Sequence, residues 1–118
     1  MANPVVHFEI LGKQPEKLQS FYSDLFDWKI NAANPDKYGM VDAGDAGIAG
    51  GIGGTNLLAG HLTFYIQVDN LEAYIEKAVG MGGRVMSQPI ESSSVRYQLI
   101  ADPEGNVVGL VQDIGGQA

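Results

Sequence analysis

The 118-residue sequence predicts one small α+β domain built from two related βαβββ halves. Three observations predict it. Strand-like alternation and helix-like periodicity follow one another as strand, helix and three strands, and that order occurs twice. One constant shift lays the second half on the first. The chain is 45% apolar and 18% charged, the balance of a chain that folds around a core.

Val5-Val6-His7-Phe8-Glu9-Ile10-Leu11 alternates as a half-buried strand does. Pro15 stands where a first helical residue would stand, and Leu18, Phe21, Tyr22 and Leu25 follow as one apolar face. Trp28-Lys29-Ile30 opens an extended segment. Tyr38 to Val41 and Ile48 to Ile52 are two short strands, separated by the turn residues Asp42-Ala43-Gly44-Asp45.

The second half opens on His61 to Val68, rich in aromatic and β-branched residues. Asn70 is a helix N-cap, and Leu71, Tyr74, Ile75 and Ala78 form the helix's apolar face. Gly80, Gly82 and Gly83 end that helix, and Arg84 to Ser87 is the next strand. Val95 to Ala101 and Asn106 to Gln112 form a hairpin around Asp102-Pro103-Glu104-Gly105, a type I turn sequence. Gly115 to Ala118 reads as a frayed tail.

The constant shift places Phe8 on Phe64, Ile10 on Ile66, Leu18 on Tyr74 and Tyr22 on Ala78. It holds from the first strand through the helix to the next strand. The whole chain, 1–118, is therefore one domain, with module one at about 4–56 and module two at about 60–114.

Composition excludes several classes. The net charge is −7, and the seven basic residues are scattered, so neither nucleic acid nor an anionic membrane is an expected partner. There are no cysteines, hence no disulfide, thiolate metal site or cysteine nucleophile. Met1-Ala2-Asn3-Pro4 lacks the features of a signal peptide. The uncharged stretch from Ala46 to Val68 is broken by six glycines and by Thr55, Asn56 and His61, unlike a membrane helix of about 20 apolar residues. A cytoplasmic location is the expectation. Gly50-Gly51-Ile52-Gly53-Gly54 lacks the Lys-Ser/Thr and following helix of a phosphate loop. Ser92-Ser93-Ser94 reads as a loop, and Trp28 and Tyr74 as core or interface residues.

Val6-His7-Phe8-Glu9-Ile10, Phe21-Tyr22-Ser23-Asp24-Leu25-Phe26-Asp27-Trp28, Val68-Asp69-Asn70-Leu71 and Asp102-Pro103-Glu104-Gly105-Asn106 carry a resemblance. On them the chain resembles the glyoxalase / bleomycin-resistance protein / dioxygenase superfamily, the vicinal oxygen chelate fold. The resemblance implies paired βαβββ modules forming a half-barrel around a cavity, and a homodimer. It also implies metal ligands on the first and last strand of each module, where an ion would polarise vicinal oxygens of a substrate.

His7 matches the first-strand ligand position, and the shift puts Thr63 at its counterpart. The last-strand position after the Asp-Pro-Glu-Gly turn is Gly109, and its first-half counterpart falls in the glycine-rich run that includes Gly53. Thr63 is a poor ligand and glycine offers no side chain, so three of four positions are empty. Strand alternation puts His7 and Glu9 on one face of their strand and His61, Thr63 and Tyr65 on one face of theirs, and the resemblance implies that these are the cavity faces. Phe8, Ile10, Leu62, Phe64 and Ile66 fall on the opposite face, under the helices. Glycine at 53 and 109 is expected to leave room for a small molecule.

The expected function is small-molecule binding through His7, Glu9, His61, Thr63 and Tyr65, like the drug-sequestering branch, with no metal or other cofactor and with no catalytic residue assigned. One alternative is a divalent-metal-dependent lyase, isomerase or dioxygenase using His7 with His61 or Glu9. Another is a non-catalytic interaction or regulatory subunit.

Overall fold

The structure is a computed structural model, and it describes residues 2–42, 44, 47–55 and 61–115. Among these residues lie, in order, β1 (Val5–Gly12), α1 (Pro15–Phe26), β2 (Lys29–Asn31), β3 (Gly39–Asp42) and β4 (Gly50–Gly54). Then come β5 (His61–Gln67), α2 (Leu71–Gly80), β6 (Arg84–Val85), β7 (Ile90–Glu91), β8 (Val95–Ala101) and β9 (Val107–Asp113). This is the α+β order read from the sequence, with β7 added. That two-residue strand has no alternation to betray it, and pairing with Tyr97 and Arg96 of β8 alone makes it a strand. The chain divides into two compact units, Val6–Thr63 and Met1–Val5 with Phe64–Ala118.

In the unit Val6–Thr63 the strands lie in the order β2-β3-β4-β1. β1 and β4 are parallel, with Phe8 opposite Gly50 and Ile10 opposite Ile52, while β2, β3 and β4 run antiparallel. Period-two alternation turns Phe8 and Ile10 toward α1 and His7 and Glu9 to the other side. Phe8 rests against Trp28 at 5.4 Å between ring centroids, and Trp28 stacks on Tyr22 of α1 at 5.4 Å. Ile52 and Val41 are the buried aliphatic residues here.

Helix α1 begins at Pro15, whose missing N–H costs nothing in a first turn. It ends at Asp27, in a left-handed conformation (φ 60°) that Asp tolerates, with its N–H donating to Ser23 O at 2.9 Å. Gln19 ties the helix to the sheet, its Nε2 donating to Ile52 O at 2.8 Å and Lys37 O at 3.2 Å. Of the predicted apolar face, Leu18 and Tyr22 turn inward, whereas Phe21 and Leu25 remain more than half exposed.

The second unit has the strand order β5-β9-β8-β6, with β7 beside β8. β5 and β9 are parallel and the others antiparallel, so the connectivity repeats that of the first unit. Its core is Val68, Leu71, Ile100 and Leu110, with Ile66, Tyr74, Ile75 and Ala78 packed against them. Asn70 caps α2 as predicted, its Oδ1 accepting from Ala73 N at 3.0 Å, and Leu71 N donates to Gln112 Oε1 at 2.9 Å. Arg96 pairs with Glu72 and, at 3.0 Å, with Glu91.

The β8–β9 turn holds itself. Gly105 N donates to Asp102 O at 2.9 Å, and Gly105 has φ +90°, which glycine adopts without strain. The Asp102 carboxylate accepts from Glu104 N, Asn106 N and Asn106 Nδ2. The Asn106 side chain, then the backbone donors, hold that carboxyl below its usual range. Asn3 and Pro4 dock on this unit, Gln67 N donating to Pro4 O at 2.9 Å and Tyr74 OH to Asn3 Oδ1 at 3.2 Å.

Two expectations need correction. Leu62 and Phe64 are not buried under the helices: Leu62 stands in a groove beside α1 and is 74% exposed, and Phe64 is 42% exposed. On β5 the helix-side face packs into the core only at Ile66, where α2 covers it. The strand expected over Arg84 to Ser87 stops at Val85, because Ser87 turns its Oγ to accept from Leu99 N at 3.0 Å. Of the predicted turn after Asp42, Ala43 and Asp45 lie outside the described residues, as does the tail beyond Gly115. Among the described residues no helix is long and apolar enough to cross a membrane.

Leu71 is fully buried, so Leu71→Ala is expected to cost about 2–5 kcal/mol in urea unfolding. Asn70→Ala, which loses only the cap, is expected to cost about 1 kcal/mol in the same measurement.

Candidate functional site

β1 carries His7 and Glu9 two residues apart on one face, and a residue from outside the strand joins them. Tyr38 lies at the entry to β3. Its hydroxyl donates to Glu9 Oε2 at 2.9 Å and lies 3.0 Å from His7 Nε2. The phenol has one proton and gives it to the carboxylate, so Nε2–H of His7 is the donor in the second bond. A directed chain results, His7 Nε2–H to Tyr38 Oη–H to Glu9 Oε2. The imidazole and phenol rings are near parallel, 16° apart.

Local sequence explains why Tyr38 reaches this position. Asn34 grips its backbone at both ends, Oδ1 accepting from Tyr38 N at 2.9 Å and Nδ2 donating to Tyr38 O at 2.7 Å. Lys37 just before it takes a left-handed conformation, φ 54°. The ring then lies on β4, where Gly51 and Gly53 share a face. A Cβ on Gly51 would fall 1.8 Å from Tyr38 Oη, and one on Gly53 would fall 2.7 Å from the ring. Only a strand bare at both positions accepts this ring.

The second unit repeats the device. Tyr65 of β5 is opposite Gly109 of β9, and a Cβ on Gly109 would fall 2.2 Å from the Tyr65 ring. Tyr97 packs edge-on against Tyr65 at 5.6 Å. The expectation that Gly53 and Gly109 leave room is therefore corrected. Tyr38 and Tyr65 occupy the space that side chains there would have filled.

The other predicted residues lie on β5. Thr63 and Tyr65 are buried, while His61 is partly exposed at the start of β5, where it borders the groove beside α1. Among the described residues no three of His, Asp and Glu gather into a group that could hold an ion. The alternative ligand set of His7 with His61 or Glu9 is thus not gathered for an ion, because His61 borders the α1 groove while the Tyr38 hydroxyl bonds both His7 and Glu9. Tyr38 itself was missed from sequence. Its signal was the alternation Gly51, Gly53, which denotes a close neighbour on one face of a strand.

Burial lowers the pKa of His7, and the Glu9 carboxylate partly offsets this by favouring the imidazolium.

A model of the glyoxalase-like domain matches residues 8–111. The chain belongs to the glyoxalase-like domain family. Among solved structures it is similar to a glyoxalase/bleomycin resistance protein/dioxygenase superfamily member from Vibrio splendidus, at 16% identity and TM-score 0.67, covering 95% of this chain and 100% of that one. It is similar to methylmalonyl-CoA epimerase from Mycobacterium tuberculosis, at 12% identity and TM-score 0.71, over 96% of this chain and 89% of that one. A Streptomyces coelicolor methylmalonyl-CoA epimerase in complex with 2-nitronate-propionyl-CoA matches at 15% identity and TM-score 0.68, over 95% and 98%. At these identities the likeness is one of fold. No curated protein matches by sequence.

Two outcomes test this geometry. Gly51→Ala is expected to cost about 1–3 kcal/mol in denaturant unfolding and far less in a Tyr38→Ala background, since the ring is what the new methyl strikes. The His7 ring, followed by NMR through a pH titration, is expected to protonate below the ordinary histidine value of about 6.5. The fold favours neutral His7, so its contribution to stability is complete above about pH 6.5 and is lost as pH falls toward the lower folded value. Glu9→Gln is expected to lower the His7 pKa further.

Proposed function

We propose that this member of the family binds a small organic molecule through the His7–Tyr38–Glu9 face of its first module, without the metal ligand set on which metal-dependent relatives rely. One observation carries the reading: the hydroxyl of Tyr38 engages both His7 Nε2 and Glu9 Oε2. An ion at His7 Nε2 would compete with a bond the fold already makes. The remaining positions of the set are Thr63, Gly109 and the glycines of β4, whose chemistry offers imidazole or carboxylate to nothing. Polar groups converging on a partly buried face are what a small-molecule site uses to orient its ligand. The chain His7–Tyr38–Glu9 offers such a ligand acceptor oxygens held in fixed positions by the bonds between its members. Solved proteins of the same fold that hold CoA-linked small molecules support a ligand of that general kind.

The test begins with protein purified without chelator. Elemental analysis and calorimetric titration with Mn²⁺ and Zn²⁺ are expected to give no stoichiometric ion. A library of small organic fragments is expected to shift the NMR signals of His7, Glu9 and Tyr38, and Tyr38→Phe should weaken those hits. A stoichiometric ion that disappears in His7→Ala would overturn the reading in favour of a metal-dependent enzyme.

A further inference from the structure

The helix side of β1, opposite to His7 and Glu9, borders a trough beside α1. A groove of about 760 Å³ is floored by Ile10 and Leu62 and walled by Leu18 and Phe21. A second of about 630 Å³ shares Ile10, Tyr22 and Leu62 with it and continues past Phe8, Trp28 and Ile48. The shared residues make one trough of the two, and every lining residue belongs to the unit Val6–Thr63. Volumes of this size are those of small-molecule sites, which are mostly apolar with a few polar groups to orient the ligand.

The polar groups of the trough are gathered at one end. Lys13, Gln14, Lys17 and His61 line the first groove, and none of them reaches the second, where aromatic and aliphatic side chains take over. β1 carries the trough from Gly12 at the basic end to Phe8 at the apolar end, about 13 Å at the rise of a strand. Among the described residues no Asp or Glu lines either groove, in a chain with 14 acidic residues and seven basic ones. The ion pairs among the described residues are those of Arg96 with Glu72 and Glu91, so both lysine ammonium groups are uncommitted. Gln14 makes no side-chain cap for α1, which leaves its amide to donate outward. Lys13 and Lys17 are exposed, and their alkyl stems can lie along the apolar wall while the charges stay at its mouth.

A neutral apolar ligand would leave these donors unused, and a cation would meet two ammonium groups. An anion with an alkyl tail uses both ends. We infer that the α1 trough is a second ligand site, separate from the His7–Tyr38–Glu9 face, and that it takes an alkyl monocarboxylate. The carboxylate lies at Lys13 and Lys17, and the chain runs along Ile10, Phe21 and Leu62 toward Trp28.

Trp28, the one tryptophan of the chain, reports on the apolar end by its fluorescence. Dodecanoate, titrated below its micelle concentration into the full chain, is expected to give a saturable change at one molecule per chain, with a dissociation constant in the micromolar range. Acetate, which has the charge and no tail, should give no change. Dodecyltrimethylammonium, which has the tail and the opposite charge, should bind about tenfold more weakly or worse. The double variant K13Q/K17Q, changed at two exposed positions, should weaken dodecanoate about three- to tenfold, as expected of two exposed charge contacts, and leave dodecanol binding as it was. In NMR spectra dodecanoate should shift Ile10, Phe21 and Leu62 and leave His7 and Tyr38 in place. No saturable response would overturn the inference. So would equal binding of dodecyltrimethylammonium, indifference to K13Q/K17Q, or shifts centred on His7 and Tyr38. The reading of the His7–Tyr38–Glu9 face depends on none of the first three outcomes, so the two can fail separately.

Discussion

Aromatic rings lying flat on bare backbone hold this molecule together where side chains would normally do so. β4 reads Gly50-Gly51-Ile52-Gly53-Gly54 and has one side chain of any size. Phe8 covers Gly50 on the helix side, and Tyr38 covers Gly51 and Gly53 on the other. In the second unit Tyr65 covers Gly109. Each ring offers apolar area that the strand beneath cannot supply itself, and each would have to shift for a methyl group at the glycine below. The arrangement couples residues far apart in sequence, since neither ring nor glycine is satisfactory without the other.

That constraint gives the candidate site its character. Tyr38 has to lie on β4 for packing reasons, and from there its hydroxyl reaches both His7 and Glu9. A residue fixed by packing thereby becomes the centre of a polar chain. The Nε2 of His7 belongs to a hydrogen bond with that hydroxyl. The two units use the same device differently: the first pairs its ring with His7 and Glu9, while the second pairs Tyr65 with Tyr97.

The two helices differ in a related way. α2 buries Leu71 fully and joins an aliphatic core. α1 is held by an aromatic stack and by the amide of Gln19, and it leaves Phe21, Leu25 and Phe26 in solvent. At the rotation that lets Gln19 reach Ile52 O, Leu18 and Tyr22 turn inward and Phe21, Leu25 and Phe26 stay outside.

Local signals in the sequence determined most of the fold. Alternation in Val5–Gly12 and His61–Gln67, the N-cap at Asn70, Pro15 at a helix start and the Asp102–Gly105 turn are each decided by residues within a few positions of one another. The repeat of one order of elements, and with it family membership, follows from those same signals. Sequence also placed Thr63 one constant shift from His7, and Gly109 after the Asp102–Gly105 turn, because that needs only residue identity and spacing. Tertiary structure alone decided what fills those places, which way α1 turns, and that Tyr38 rather than His61 joins His7 and Glu9. Those outcomes depend on contacts across the sheet and between helix and strand, where ring volume and bare backbone must match, and no local pattern in the chain encodes that match.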